Sequence, residues 1–239
     1  YHRWLYSNID MIHAVTHRVK EQLEKYIPLD VLPKIEMLYL GAEAAKIDEN
    51  IVMELKKKYK ATGEFIVGIV GRIEEAKGQF KVIKAISSLK DLNIKALIVG
   101  SATQESYLQS LQKQVQELGL ENKVLFTGFT NNVNEYMQIF DVNVLATENE
   151  TFGLVVIEAM VNKVPMIATN KGGPLEIIEN GTDGLFFDGS VKDLADKINV
   201  LYCDEILKSK IALGGFETVM TKFNKTKQLK SLKTIIEKS

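Results

Sequence analysis

The nine residues Glu150-Thr151-Phe152-Gly153-Leu154-Val155-Val156-Ile157-Glu158 concentrate the chemistry of this chain. Two carboxylates lie eight positions apart, on either side of a helix start expected at Gly153. Glu150 follows an apolar run, residues 142–146, and belongs to a loop. Glu158 falls within the helix. An i to i+7 relation places it on the face of Thr151, leaning back toward the helix N-terminus. Both acids and the free N–H groups of the helix start are expected to line one mouth. Carboxylates bind pairs of hydroxyls, and helix-start N–H groups bind phosphate oxygens. A ligand that is both polyhydroxylated and anionic fits this combination, and a nucleotide-sugar is both. The plain alternative is a solvated helix face, because two glutamates at this spacing are common. The setting favours chemistry. Phe152-Gly153 permits close approach, and Glu158 interrupts an otherwise apolar stretch, residues 154–160, where a charge needs a partner.

Cations come from a second segment, Val70-Gly71-Arg72 followed by Lys77-Gly78. Gly71 ends an apolar run, and Arg72 and Lys77 flank a polar loop before a helix. Two cations at a strand end beside a helix start neutralise a diphosphate. A surface ion pair with Glu74 or Glu75 explains the same residues equally well. Gly100 and the pair Gly128-Phe129 also end apolar runs, where glycine lets backbone approach a ligand such as a base. Ordinary turns are the default reading there. In Lys171-Gly172-Gly173-Pro174-Leu175-Glu176, Pro174 suits the first helical position. The Glu176 carboxylate is expected to serve the dipole of its own helix. Asn180-Gly181 and Asp183-Gly184 read as turns.

Several chemistries are missing. No GxGxxG or P-loop pattern occurs. No Asp-x-Asp occurs, the nearest match being Asp141-Val142-Asn143 at a strand start. His2, His13 and His17 lack a metal-ligand partner set, and no hydrolase elbow is present. Neither a metal site nor a cofactor is therefore expected.

The elements that must hold these groups alternate from residue 64 to about 203. Short, unbroken, β-branched-rich runs at 65–70, 96–99, 124–126, 142–146, 165–169 and 185–187 read as strands covered on both faces. Helical segments at 79–89, 105–118, 133–138, 153–161, 175–179 and 191–202 lie between or after them. In the first, Phe80, Ile83, the stem of Lys84, Ile86 and Leu89 fall near one stripe. The fold class is α/β: a Rossmann-like parallel sheet of about six strands with helices on both faces. Ligands of such sheets bind at the carboxyl ends of strands, where strand order reverses. Before this repeat, residues 9–15 and 34–40 read as strands. Thr16 caps a helix through Leu23, and residues 48–60 form a charged helix. Residues 224–237 form a Lys-rich amphipathic helix.

The chain has 239 residues with 46% apolar and 26% charged, the balance of an ordinary globular protein. A net charge of −1 makes no case for nucleic acid as a partner. The single cysteine, Cys203, forms no internal disulfide, suits a reducing compartment and is expected to be a buried spectator. No apolar run reaches the length of a membrane span. Lys56–Lys58 with Lys60, and the Lys-rich tail, read as solvated helix faces, with contact to anionic lipid as the alternative. The start, Tyr1-His2-Arg3-Trp4, lacks an initiator Met and a signal-peptide layout, so a fragment of something longer is expected.

Taken together, Val70-Gly71-Arg72 with Lys77-Gly78, the Gly128-Phe129 pair, residues 150–160 and residues 172–181 resemble the retaining glycosyltransferases of family 4. The resemblance covers about residues 64–235. It implies one half of a GT-B fold, in which two Rossmann-like domains face a cleft. Residues 1–45 would be the remnant of an N-terminal acceptor domain and the crossover. Residues 46–223 would be the nucleotide-sugar donor domain, and residues 224–239 a C-terminal helix packing back. Arg72 and Lys77 would bind the donor diphosphate, and Glu150 would contact the hydroxyls of the transferred hexose. Backbone N–H groups of Phe152, Gly153 and Leu154 would hold sugar and phosphate, and Glu158 would take the ribose hydroxyls. Gly71, Gly100, Gly128, Phe129 and Thr151 would complete the donor site. The donor would be UDP-, GDP- or ADP-linked, and the acceptor a glycan or a lipid-linked glycan. Catalysis would need no metal. The setting would be cytoplasmic, with peripheral contact at the inner face of the membrane. A GT-B epimerase or phosphorylase-like enzyme is the alternative within the fold, and a nucleotide-sugar-binding module without turnover is the alternative outside catalysis.

Overall fold

The computed structural model describes residues 2–237; Tyr1, Lys238, Ser239 and the side chains of His2 and Arg3 lie outside it, so the reading of His2 falls outside the described residues. A short helix α1 (His2–Tyr6) precedes a small unit in which strand β1 (Met11–Ala14) pairs in parallel with β2 (Lys34–Met37) across helix α2 (His17–Tyr26). Thr16 caps α2, its hydroxyl accepting from the Val19 N–H at 3.2 Å. Ala14, Ile27 and Ile35 form the buried core of this unit.

Helix α3 (Glu49–Tyr59) then leads into the large sheet. Its strands are β3 (Phe65–Val70), β4 (Ile94–Val99), β5 (Val124–Gly128), β6 (Val142–Leu145), β7 (Met166–Thr169) and β8 (Leu185–Phe187). All pair in parallel, in the order β5-β4-β3-β6-β7-β8. The strand order reverses between β3 and β6, so a crevice opens at their carboxyl ends. The helices are α4 (Gln79–Ser88), α5 (Glu105–Glu117), α6 (Val133–Met137), α7 (Leu154–Val161), α8 (Pro174–Ile177), α9 (Val191–Cys203), α10 (Glu205–Lys222) and α11 (Lys225–Ile236).

Alternation along β3 explains why its run is apolar without a break. Phe65, Val67 and Ile69 face one core with α4 and α9, while Ile66 faces a second core with α7 and Phe223. Both faces exclude water, so every position gains from burial. In α4 the buried stripe is wider than expected, taking in Val82 and Ala85, whereas Lys84 is exposed.

Helix α10 has no counterpart in the sequence reading. Gly214 and Gly215 sit in its middle, where helix propensity is lowest. Tertiary packing overrides that. A Cβ at Gly214 would lie 2.5 Å from the Thr182 carbonyl oxygen, and one at Gly215 would lie 2.9 Å from Met160 Cγ. Asp183 is therefore more than a turn residue. It is buried and accepts from the Glu179 N–H at 2.7 Å and the Thr218 hydroxyl at 2.7 Å, tying its loop to α10. Cys203, expected to be buried, is exposed at the end of α9. Asp141 receives the Ile66 N–H at 2.8 Å and the ammonium groups of Lys60 and Lys208, so Lys60 is a structural partner and not part of a free basic face. Among the described residues, no helix is long and apolar enough to cross a membrane.

Candidate active site

The carboxyl ends of β3 and β6 carry the two segments singled out by their chemistry. After β3, Arg72 is exposed, and its Nη2 lies 3.3 Å from Glu74 Oε1. Lys77 turns inward instead. Its Nζ donates to Glu150 Oε2 at 3.1 Å, joining residues 73 positions apart. Arg72, Lys77, Glu150 and Thr151 line a cavity of about 440 Å³ beneath the switch point. Thr147 lines it too, with its hydroxyl buried and unpartnered. Gln79 holds the cationic loop from behind, its Nε2 donating to the Arg72 carbonyl at 2.7 Å.

Glu150 and Glu158 were expected to line one mouth, but they open on cavities that share no lining residue. Glu158 lines a larger cleft of about 580 Å³ with Val70, Asn134, Leu154 and residues 41–46. The i to i+7 relation with Thr151 also fails, because Thr151 precedes the helix. The relation that holds is i to i+4, from Leu154 to Glu158, and both residues line the larger cleft. Gly153 is the N-cap of α7 at φ 100°, in the left-handed region that favours glycine, and no side chain caps that end. The Phe152 ring is buried against Tyr39 and Phe223.

No side-chain hydrogen bond or ion pair meets the Glu158 carboxylate among the described residues. Its mouth is open to solvent, yet the surrounding protein strips away enough water to raise its pKa. A carboxyl with a raised folded-state pKa is harder to ionise when folded. Stability therefore falls as pH rises from the unfolded pKa through the folded one. Glu158→Gln should raise the melting temperature at neutral pH and leave it unchanged at pH values below the ordinary carboxylate range. Equal melting temperatures at both would contradict this.

The other glycines have structural work. Gly100 has φ 144°, and a Cβ there would lie 2.0 Å from the Gly71 carbonyl oxygen. Its close approach is to Gly71, and it also donates its N–H to the Gly128 carbonyl at 3.0 Å. Gly128 has φ 75°, and Phe129 stands 74% exposed. Gly173 donates its N–H to the Glu150 carbonyl at 2.8 Å, so the two-glycine loop supports the Glu150 loop from below.

Glu148 and Lys81, outside the sequence motifs, and Lys171 and Glu176, at the two ends of one, surround the site. Lys81 and Lys171 grip Glu148 at 2.7 and 3.1 Å, and these bonds hold its carboxyl down at about 2. Glu176 does not serve its own helix. Its carboxylate accepts from the N–H groups of His17 (2.9 Å) and Arg18 (3.0 Å), and from the Tyr39 hydroxyl (3.1 Å). With Thr16 on Val19, every N–H of the first turn of α2 is satisfied. Thr16 also donates to the Thr151 carbonyl at 3.4 Å. The β1–β2 unit is thereby clasped to both loops of the site. The sequence offered no signal for this, since Glu176 and its donors are more than 130 positions apart.

Glu176→Ala should cost about 2 kcal/mol in stability, the loss of charge-assisted hydrogen bonds that nothing else replaces. Chemical denaturation of the two proteins checks this. The same contact gives an alkaline signature. Burial, then the bond to Glu176, pushes the Tyr39 hydroxyl up to about 12. A phenol raised in the folded state contributes stability that is fully present below its unfolded pKa and is lost as pH rises through about 12. Tyr39→Phe should flatten the alkaline limb of a stability–pH curve.

The six-stranded parallel sheet with flanking helices matches the fold of GT-B glycosyltransferase structures. Anabaena HepE, in a crystal structure with UDP-glucose, superposes with a TM-score of 0.90 at 23% identity, covering 98% of this chain and 66% of that one. Residues 53–215 match the family described as glycosyl transferases group 1, and the chain belongs to that family. N-acetyl-alpha-D-glucosaminyl L-malate synthase of Bacillus anthracis is 28% identical over 229 residues, 95% of this chain and 59% of its own length. The capsular polysaccharide biosynthesis glycosyltransferase CapM of Staphylococcus aureus is 32% identical over 202 residues, 80% of this chain and 52% of its own. The chain thus spans somewhat over half the length of these relatives.

Proposed function

We propose that this chain is the donor-binding part of a retaining, family 4 hexosyltransferase that moves a sugar from a nucleotide diphosphate to a glycan or lipid-linked acceptor. The observation that carries this reading is the Lys77–Glu150 pair beside Arg72, at the point where the strand order reverses. An ammonium has three donors, and one is used on Glu150. The others remain for the diphosphate oxygens, with Arg72 and the uncapped start of α7. These groups meet the charge that develops on the diphosphate as the glycosidic bond breaks. Glu150 accepts from hydroxyls of the departing sugar. Glu158, whose carboxylate has no protein partner among the described residues, takes the ribose hydroxyls in the larger cleft.

In this reading Arg72 and Lys77 perform the charge neutralisation that a metal ion supplies elsewhere. Residues 1–45 and 224–239 belong to the acceptor side and its return helix, and residues 46–223 form the donor domain. The separate β1–β2 sheet supports that division. The name of CapM supports an acceptor in surface polysaccharide assembly, and the HepE complex supports a UDP-linked donor.

Titration of the chain with UDP, GDP and ADP tests the reading. UDP should bind, and Glu158→Ala should weaken it roughly tenfold, the loss of one charge-assisted contact. Absence of binding by all three nucleotides would remove the proposal.

A further inference from the structure

Arg18 is a cation that the donor reading leaves unused. It lies in the first turn of α2, where its backbone N–H is pinned to Glu176 Oε1 at 3.0 Å. Its guanidinium has no ion pair or hydrogen bond among the described residues. It lines a cavity of about 210 Å³ with Val19, Gln22, Asn149, Glu150 and Thr151. Glu150 does not neutralise it, because the Glu150 carboxylate is engaged by Lys77 at 3.1 Å. Lys20, its neighbour on the helix, is turned to Glu24 at 3.8 Å.

The loop of Asn149, Glu150 and Thr151 lines this cavity and the one holding Arg72 and Lys77. A sugar held at Glu150 would therefore have the diphosphate cations in one cavity and Arg18 in the other. The guanidinium shares this cavity with the amides of Asn149 and Gln22 and with the Glu150 carboxylate that Lys77 holds, and its own N–H donors are unused among the described residues. Arginine's planar fork matches the two oxygens of a carboxylate or phosphate.

We infer that Arg18 binds an anionic group, a phosphate or a carboxylate, on the acceptor. This inference rests on the donor reading above. Two features make it specific to Arg18. Glu176 fixes the start of α2, so the guanidinium is carried on a rigid element. Thr16 ties that element to the Thr151 carbonyl, so its register against the Glu150 loop is set.

The experiment saturates the chain with UDP, so that the Arg72–Lys77 cavity is filled, and then titrates inorganic phosphate and glucuronate, followed by NMR. One or both should bind. Arg18→Gln should weaken that binding at least tenfold, with Arg18→Lys intermediate and the UDP affinity of both variants unchanged. The probe that binds says whether the acceptor anion is a phosphate or a carboxylate. The melting temperature of Arg18→Gln should equal that of the parent, since the side chain has no partner to lose. The inference is overturned if neither probe binds or if Arg18→Gln leaves their binding unchanged. It is also overturned if Arg18→Gln weakens UDP as Lys77→Ala does, which would make Arg18 a donor-phosphate ligand. Failure of UDP itself to bind would count against the donor reading alone. Phosphate titrated into Lys77→Ala and Lys77→Ala/Arg18→Gln without nucleotide would then still decide whether Arg18 holds an anion.

Discussion

Lys77→Ala should lower the affinity for UDP-glucose roughly 10- to 100-fold, as expected for a charge-assisted contact in a partly enclosed site. The affinity for uridine should stay within about twofold, because Lys77 touches only the phosphate end in this reading. Two losses combine. The diphosphate loses an ammonium donor, and the Glu150 carboxylate, whose side chain is only 19% exposed, loses its counter-charge. An unpaired carboxylate beside a bound diphosphate repels it. Calorimetric titration of both ligands into both proteins measures the difference. Equal losses for uridine and UDP-glucose would move Lys77 away from the phosphates. No loss for either would remove it from the site.

Gly100→Ala should destabilise the chain by about 4 kcal/mol or more, at the extreme of what single substitutions do. The added methyl would meet the Gly71 carbonyl oxygen at 2.0 Å, and φ 144° is strained for any L side chain. Neither partner has a rotamer to yield, because both are backbone. Relief requires moving the ends of β3 and β4 apart, and with them the loop that carries Arg72 and Lys77. Denaturant unfolding should show the loss without nucleotide present. A stable Gly100→Ala protein that merely bound nucleotide weakly would instead make Gly100 a ligand-approach residue.

Much of the architecture was legible because its physical causes are local. The β3 and β8 boundaries fall where the apolar runs begin and end, since strands covered by helices on both faces are built of near-continuous apolar residues. Thr16 announced α2 through its own hydroxyl. Helix α10 was not legible, because the two glycines that weaken its propensity are required by the close approach of Thr182 and Met160, which are distant in sequence. Asp204 is a retrospective signal for it, as its side chain accepts from the Leu207 N–H at 2.8 Å. Cys203 was misplaced because burial of a cysteine depends on which helix face meets the sheet. Leu194, Ile198 and Leu201 form the buried stripe of α9, and Cys203 lies on the face of exposed Asp196, seven positions before it.

At the candidate site, residue chemistry and spacing alone singled out Arg72, Lys77, Glu150 and Glu158, since charges in apolar or strand-end settings stand out one by one. Which charge meets which was decided only in three dimensions. The surface pair anticipated for Arg72 formed with Glu74, two positions away, where the local chain sets the distance. The Lys77–Glu150 pair spans the β3–β6 junction, and the Glu176 clasp spans the β1–β2 unit and α8. Such pairs depend on strand order and on how one unit packs against another. No periodicity within a segment encodes them, so the sequence by itself determined the inventory of charged groups, and the tertiary structure decided their partners.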